Sequence, residues 1–349
     1  MSDNIVGLVS SSPHLRTEES IKSIMWGVFF ALFPAWLVGI YWFGFGALTT
    51  GLTAIVVSMA TEAGIKAMRG QDNSMMDGSA AVAGLLLAFN LPASAPWWMT
   101  VVGAVFMIAV VKEIFGGLGY NILNPALAAR AFLLASWPVQ MTGNWVAPSM
   151  GTMSGLDAVT TATPLNMLKQ AGEVLGNPTM YDASIIAQAK ANVASLSDSY
   201  MSLMLGNVGG CIGETSVLAL LMGGAFLIYK KYITWHVPVI YIATVGLLAW
   251  MFGGVDGMFS GDPLFHILSG SLILGAFYMA TDMVTSPLHV KGKVIFAIGI
   301  GIFTITIRLV GGYPEGVSYA ILLMNLTVPL LNRYARPKVF GAEKEGGDQ

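Results

Sequence analysis

The sequence predicts an all-α polytopic membrane protein with about ten transmembrane helices, arranged as two inverted five-helix repeats with broken helices. Three observations predict it. Hydrophobic residues make up 55% of the 349 residues and charged residues 10%, less than half of what a soluble domain uses to face water. Apolar runs near the ~20 residues of a membrane span recur along the chain. The Lys and Arg residues between those runs collect almost entirely on one side of the membrane. This composition excludes a soluble enzyme and a disordered chain. A net charge of −2 offers no basic patch, so no nucleic-acid partner is expected. The partner of most of the surface is the lipid bilayer.

The runs cover 22–42, 47–65, 77–95, 97–115, 123–140, 206–229, 234–252, 263–283, 293–310 and 316–332. Residues 1–20 are polar and Ser-rich, without a short apolar core and cleavage pattern, so no signal peptide is expected. The third and sixth runs are atypical. Each opens on an acidic residue and a serine, Asp77-Gly-Ser79 and Glu214-Thr-Ser216, in the manner of helix caps. With the N-terminus inside, Arg16, Lys22, Lys66, Arg69, Lys112, Lys230, Lys231, Lys291, Lys293, Arg333, Arg336 and Lys338 are all cytoplasmic. The outer side takes only Lys169, Lys190 and Arg308. Both termini are then inside and the 141–205 loop is outside. The loop divides the chain into a first repeat (1–140), an external segment (141–205), a second repeat (206–335) and a cytoplasmic tail (336–349). Five spans per half is an odd number, so the second half is inverted relative to the first. Asn121-x-x-Asn124-Pro125 and Asp282-x-x-x-Ser286-Pro287 are matching breaks, the pattern of transporter-like inverted repeats.

Residues suited to chemistry are few. Cys211 is the only cysteine and the four histidines are dispersed, so a metal site within this chain is not expected. Ionisable residues within the runs are Glu62, Asp77, Glu113, Arg130, Glu214, Asp282 and Arg308, and each costs roughly 2.5–3.5 kcal/mol at a bilayer centre unless paired. Arg130 could neutralise Asp77 or Asp282, or contact a cofactor. Glu113, beside Lys112 at a helix end, reads as interfacial. Asp77, Glu214 and Asp282, with Thr281 and Thr285, are hard oxygen donors that suit an ion path; plain caps and helix breaks would use the same residues. In the external segment, Asp157-Ala-Val-Thr160-Thr161-Ala162-Thr163-Pro164 gathers hydroxyls beside one carboxylate. A polar turn has the same look on physical grounds alone.

That stretch is similar to the flavinylation motif Asp-x-x-Ser/Thr-x-Ala-Thr of the NqrB/RnfD family, the membrane subunits of sodium-pumping NADH:quinone reductases and of Rnf electron-transport complexes. Thr161 stands where glycine is commoner. The likeness extends to Ser12-Pro-His14, to the stretch from Asp77 to Pro92, and to Gly116-Gly-Leu-Gly-Tyr-Asn121-Ile-Leu-Asn124-Pro125. In the second half it includes the stretch from Gly275 through Thr281-Asp282 to Pro287, and that from Tyr313-Pro-Glu315 to Asn325. The short N-terminus favours the RnfD branch.

The resemblance implies a fold like that of urea channels and FMN held on Thr163 by a phosphoester bond. The Thr163 hydroxyl would attack the pyrophosphate of FAD, with AMP leaving, in a reaction run by a dedicated flavin transferase. Asp157, Thr160, Thr161 and Ala162 would be the recognised sequence, and Arg130 and Asn124 further cofactor contacts. It also implies a bacterial inner-membrane location, other Rnf membrane subunits as partners (one with a second covalent flavin on the outer face), and electron transfer between ferredoxin and NAD coupled to Na+ or H+ movement. A non-covalent flavin such as riboflavin is a further cofactor to be considered. The alternatives are an NqrB-like subunit, a solute channel or transporter without a redox cofactor, and a passive scaffold.

Overall fold

The computed structural model describes residues 19–72, 74–143, 145–148, 162–197, 199–254, 257–313 and 315–336. Asp157, Thr160 and Thr161 lie outside the described residues. The protein is an all-helical polytopic membrane protein, with no strand among the described residues.

The first half contains α1 (Ile21–Phe43), α2 (Phe45–Met68), α3 (Ser79–Phe89), α4 (Trp97–Val105), α5 (Pro125–Ser136) and α6 (Pro138–Thr142). Gly44 at φ 65° makes the hinge between α1 and α2. The α4 helix continues as a π-helix over Phe106–Glu113. The external segment holds α7 (Pro164–Gly176), α8 (Ala183–Ser197) and α9 (Tyr200–Leu205). The second half holds α10 (Val217–Tyr229), α11 (His236–Phe252), α12 (Pro263–Leu268), α13 (Leu272–Leu274), a π-turn over Gly275–Met279, α14 (Val290–Val310) and α15 (Val317–Tyr334). Three helices open on the same device, a capping side chain followed by proline at the first helical position: Asn124-Pro125, Thr163-Pro164 and Asp262-Pro263. Proline there loses nothing, because that N–H has no helical partner.

Among the described residues three helices are long and apolar enough to cross a membrane unbroken: α1, α2 and α14. Several of the apolar runs are interrupted. The third yields only the 11 residues of α3, about 16 Å of helix against a ~30 Å hydrocarbon core. The sixth becomes helical only at Val217, after a 3-10 turn over Ile212–Glu214. The eighth breaks at Ser269 and Gly270, where Gly270 takes φ 69°. Hydropathy averages over a window of about a span's length, so a break of a few residues inside an apolar run does not register in it.

The interrupted backbones meet each other. Ile212 N–H donates to Leu91 O (3.1 Å), Pro92 and Cys211 form an antiparallel bridge, and Cys211 Sγ sits 3.5 Å from Asn90 O. Phe89 and Leu274 close so tightly on Gly213 that a Cβ there would lie 2.7 Å from each. Non-helical backbone at this depth is tolerable because protein, rather than lipid, covers it.

The contacts also sort the helix ends. At one end Trp26 Nε1 donates to Met76 O (3.3 Å), Tyr232 Oη to Glu19 (3.3 Å), Arg69 meets Glu113 (3.5 Å), and Lys293 reaches Thr234 (3.2 Å). At the other, Trp42 Nε1 donates to Leu205 O (3.0 Å), Lys169 to Gly311 O, and Tyr200 to Asp262. The Asp262 carboxylate accepting from Tyr200 pushes that phenol up to about 12. The Lys-rich loops thus share one end and the external segment caps the opposite end.

Candidate functional site

Thr163 is the N-cap of α7. Its Oγ1 accepts from Asn166 N–H (3.3 Å) and its carbonyl from Met167 N–H (3.0 Å). The side chain is 5% exposed, and neighbouring Ala162 is exposed. Asn166, one turn on, lines a cavity of about 270 Å3. Arg130, Glu315 and Ser318 bring polar groups to this cavity, and Trp145, Tyr313 and Tyr319 bring rings. Tyr313 and Tyr319 stack with centroids 5.9 Å apart. The Ser318 hydroxyl is buried without a hydrogen-bond partner. Flat aromatic walls, a guanidinium and an orphaned hydroxyl form a donor set that fits an isoalloxazine ring and its carbonyls.

Arg130 forms the floor. Its Nη1 donates to Asn90 Oδ1 (3.0 Å) and its Nη2 to the Glu315 carboxylate. Glu315 also accepts from Ser271 N–H (3.3 Å) and Ser271 Oγ (3.4 Å). Neither Asp77 nor Asp282 is the partner of Arg130. Glu315 escaped the sequence reading because it stands just before the last span, where a charge is read as a boundary. Glu214 projects to the same place: one oxygen each of Glu214 and Glu315 and Cys211 Sγ lie within 4.8 Å of one another. Arg130 supplies one positive charge there and spends it on Glu315.

Asp77 and Glu214 do not play equivalent parts. Asp77 Oδ1 accepts from Ser79 N–H (2.7 Å), with Gly78 as the cap residue of α3 at φ 85°. In the second half Ser216, and not Glu214, caps α10, accepting from Ala219 N–H (3.2 Å). Asp282 closes its own turn, accepting from Thr285 Oγ1 (3.0 Å) and Val284 N–H (3.3 Å). Thr281 Oγ1 donates to Phe277 O (2.6 Å). Asn124 caps α5 through Leu127 N–H (3.2 Å) and donates to Met279 O (3.3 Å). With the Asn325 amide turned to satisfy its neighbours, its oxygen accepts from Asn124 N–H (3.1 Å) and its nitrogen donates to Thr285 O (3.1 Å). A second cavity, of about 110 Å3, brings together Asn121, Asn124, Thr281 and Asp282 with Tyr232 and Phe277. The ion-path candidates therefore fall into three separate hydrogen-bonded settings.

Lys112 and Glu113, at the Lys-rich end of the bundle, are buried against protein. Lys112 is 3% exposed, and its Nζ reaches Glu62 Oε2 (3.0 Å) and Ser79 Oγ (2.7 Å). Glu113 is 1% exposed and pairs with Arg69. The π-helix in which both lie has no sequence signature, so two adjacent buried charges were not legible.

Known proteins share this sequence along nearly its whole length. Residues 8–341 match the model of the NQR2, RnfD, RnfE family. The chain is 47% identical to the D subunit of the proton-translocating ferredoxin:NAD(+) oxidoreductase complex of Clostridium ljungdahlii, over 96% of each chain. It is 48% identical to the D subunit of the Na(+)-translocating ferredoxin:NAD(+) oxidoreductase complex of Acetobacterium woodii, again over 96% of each. The D subunit of an ion-translocating oxidoreductase complex of Stutzerimonas stutzeri is 38% identical over 94% of each. With nearly its whole length matched, this chain belongs to the NQR2, RnfD, RnfE family.

Proposed function

We propose that this chain is the electron-carrying D subunit of an Rnf-type complex in the bacterial inner membrane, coupling electron transfer between ferredoxin and NAD to H+ or Na+ movement. The observation that carries the reading is Thr163 at the N-cap of α7 beside the Arg130, Trp145 and Tyr319 cavity. Covalently bound FMN would supply one-electron and two-electron carriage there. The chain's own contribution is placement. A phosphoester on Thr163 stands at the positive end of a 13-residue helix, where free N–H groups and the helix dipole favour an anion. Arg130 and the rings of Trp145 and Tyr319 would hold and shield the ring system. Maturation needs a flavin transferase that recognises the Asp157–Thr163 stretch on the outer face.

The Lys-rich end is cytoplasmic in this reading, with both termini inside. A non-covalent flavin such as riboflavin is a further cofactor within this reading. The partners are the other Rnf membrane subunits, including the one that carries a second covalent flavin on the outer face. The two relatives that name H+ and Na+ are almost equally similar to this chain, so overall similarity does not select the coupling ion.

The test is in-gel fluorescence and intact mass of the chain co-expressed with flavin transferase. A fluorescent band and an FMN mass increment are expected, and both vanish in Thr163→Ala. An unmodified wild-type chain, with a control substrate modified in the same cells, overturns the reading.

A further inference from the structure

At the end of the bundle capped by the external segment, α7 lies over the ends of α11 and α14 and encloses a cavity of about 360 Å3. Two buried side chains, Arg308 and His266, line it from below. Arg308, 4% exposed, is pinned by two carbonyls: Nη1 donates to His266 O (2.6 Å) and Nη2 to Ser269 O (3.1 Å). Its Nε has no hydrogen-bond partner, and among the described residues no carboxylate oxygen lies within ion-pair distance of it. His266, 1% exposed, has both ring nitrogens unpartnered. Lys169 brings a second cation from α7, its Nζ donating to Gly311 O. Among the described residues the single acid of the lining is Glu173, which is exposed on the rim.

A buried guanidinium with no carboxylate in ion-pair contact among the described residues carries a desolvation cost that two carbonyls and the more distant Glu315 only partly offset. Two buried donors left unmade add to it. An acceptor-only anion with several oxygens satisfies all three groups at once: Arg308 Nε–H, a His266 N–H and Lys169 Nζ–H. The walls beyond them, Leu168 and Phe252, are apolar. We infer that this cavity is a phosphate-anion site, filled by the phosphodiester headgroup of an outer-leaflet phospholipid whose glycerol and upper acyl chain rest on Leu168 and Phe252. Basic pockets between spanning helices are a recurrent setting for lipid headgroups. The site is separate from Thr163 and does not need the flavin.

The test uses the full-length protein, exchanged through mild detergent, with native mass spectrometry and lipid phosphorus as readouts. Wild type should retain bound phospholipid, and His266→Phe and Lys169→Gln should retain several-fold less, each with an unchanged elution profile. Thr163→Ala should retain as much as wild type, which separates this site from the flavin reading. Delipidated wild type should gain thermal stability from added phospholipid, and His266→Phe should not. If inorganic phosphate stabilises wild type selectively while no lipid is retained, the lipid assignment is overturned and a free-anion site takes its place. Equal lipid retention and equal phosphate response in wild type and both variants overturn the site altogether.

Discussion

Arg130 and Glu315, 185 residues apart in sequence, form a buried ion pair that ties the first half of the chain to the second beneath the Thr163 cavity. The pair does two jobs with one geometry. It neutralises a guanidinium that is 6% exposed, and it leaves the Asn90 and Ser271 hydrogen bonds to fix its orientation. Through Asn90 the pair reaches the break after α3, and through Ser271 the break after α12. The site floor and the interrupted helices are therefore one structure.

Removing one member of this pair strands the other. Glu315→Gln should destabilise the protein by about 3–5 kcal/mol, the usual cost of an uncompensated buried charge. Glu214→Gln should cost much less, because one Glu214 oxygen has no partner and no arginine pairs with it within 4 Å among the described residues. Thermal unfolding in detergent checks both. A Glu214→Gln variant as unstable as Glu315→Gln would contradict this division of roles.

The Glu62 cluster makes a second, asymmetric prediction. Glu62 pairs with both Lys112 (3.0 Å) and Lys66 (3.4 Å). Lys112→Met leaves Glu62 a remaining cation and should cost about 1–3 kcal/mol. Glu62→Gln leaves Lys112 buried with only Ser79 and should cost about 3–5 kcal/mol. Folded yield and Tm of the two variants should rank in that order; the reverse ranking would show that Lys66 does not compensate.

Much of this was legible in the sequence, for identifiable reasons. Charge along the chain is a one-dimensional signal, so the sorting of Lys66, Arg69, Lys112 and Lys230 to one end could be read directly. Local capping is also one-dimensional, and Asn124-Pro125 and Thr163-Pro164 show their helix starts in the letters. Pairing across the chain is not. Arg130 had several carboxylates to choose from, and only the fold selects Glu315. His266 and Arg308 looked like isolated residues of different spans, and their shared cavity exists only because α7 folds back over them. The break at Ser269 and Gly270 had a signal, a Ser-Gly-Ser triplet inside an apolar run.

The N-cap role of Thr163 can be separated from its proposed attachment chemistry. Thr163→Ala removes both and should cost about 1 kcal/mol of stability along with the flavin. Thr163→Asn keeps a side-chain oxygen for Asn166 N–H, so Tm should stay near wild type while covalent fluorescence is lost. Fluorescence that survives in Thr163→Asn would move the attachment to Thr160 or Thr161.

Close packing of α1 on α10 depends on one missing methyl group. A Cβ on Gly223 would collide with Ala31 O and with Tyr278 Oη. That hydroxyl shares its one proton between Leu220 O (3.0 Å) and Ala31 O (3.3 Å), so it cannot swing aside without losing its own buried hydrogen bonds. Gly223→Ala should therefore destabilise the protein by about 1–3 kcal/mol through forced helix separation. Tyr278→Phe alone removes one hydroxyl from a contact that α1 and α10 otherwise keep, at about 1 kcal/mol. Adding it to Gly223→Ala should recover part of the loss, because one of the two colliding atoms is gone. Tm values for the two single variants and the double variant test this, and strict additivity would show that the Cβ meets only the Ala31 backbone.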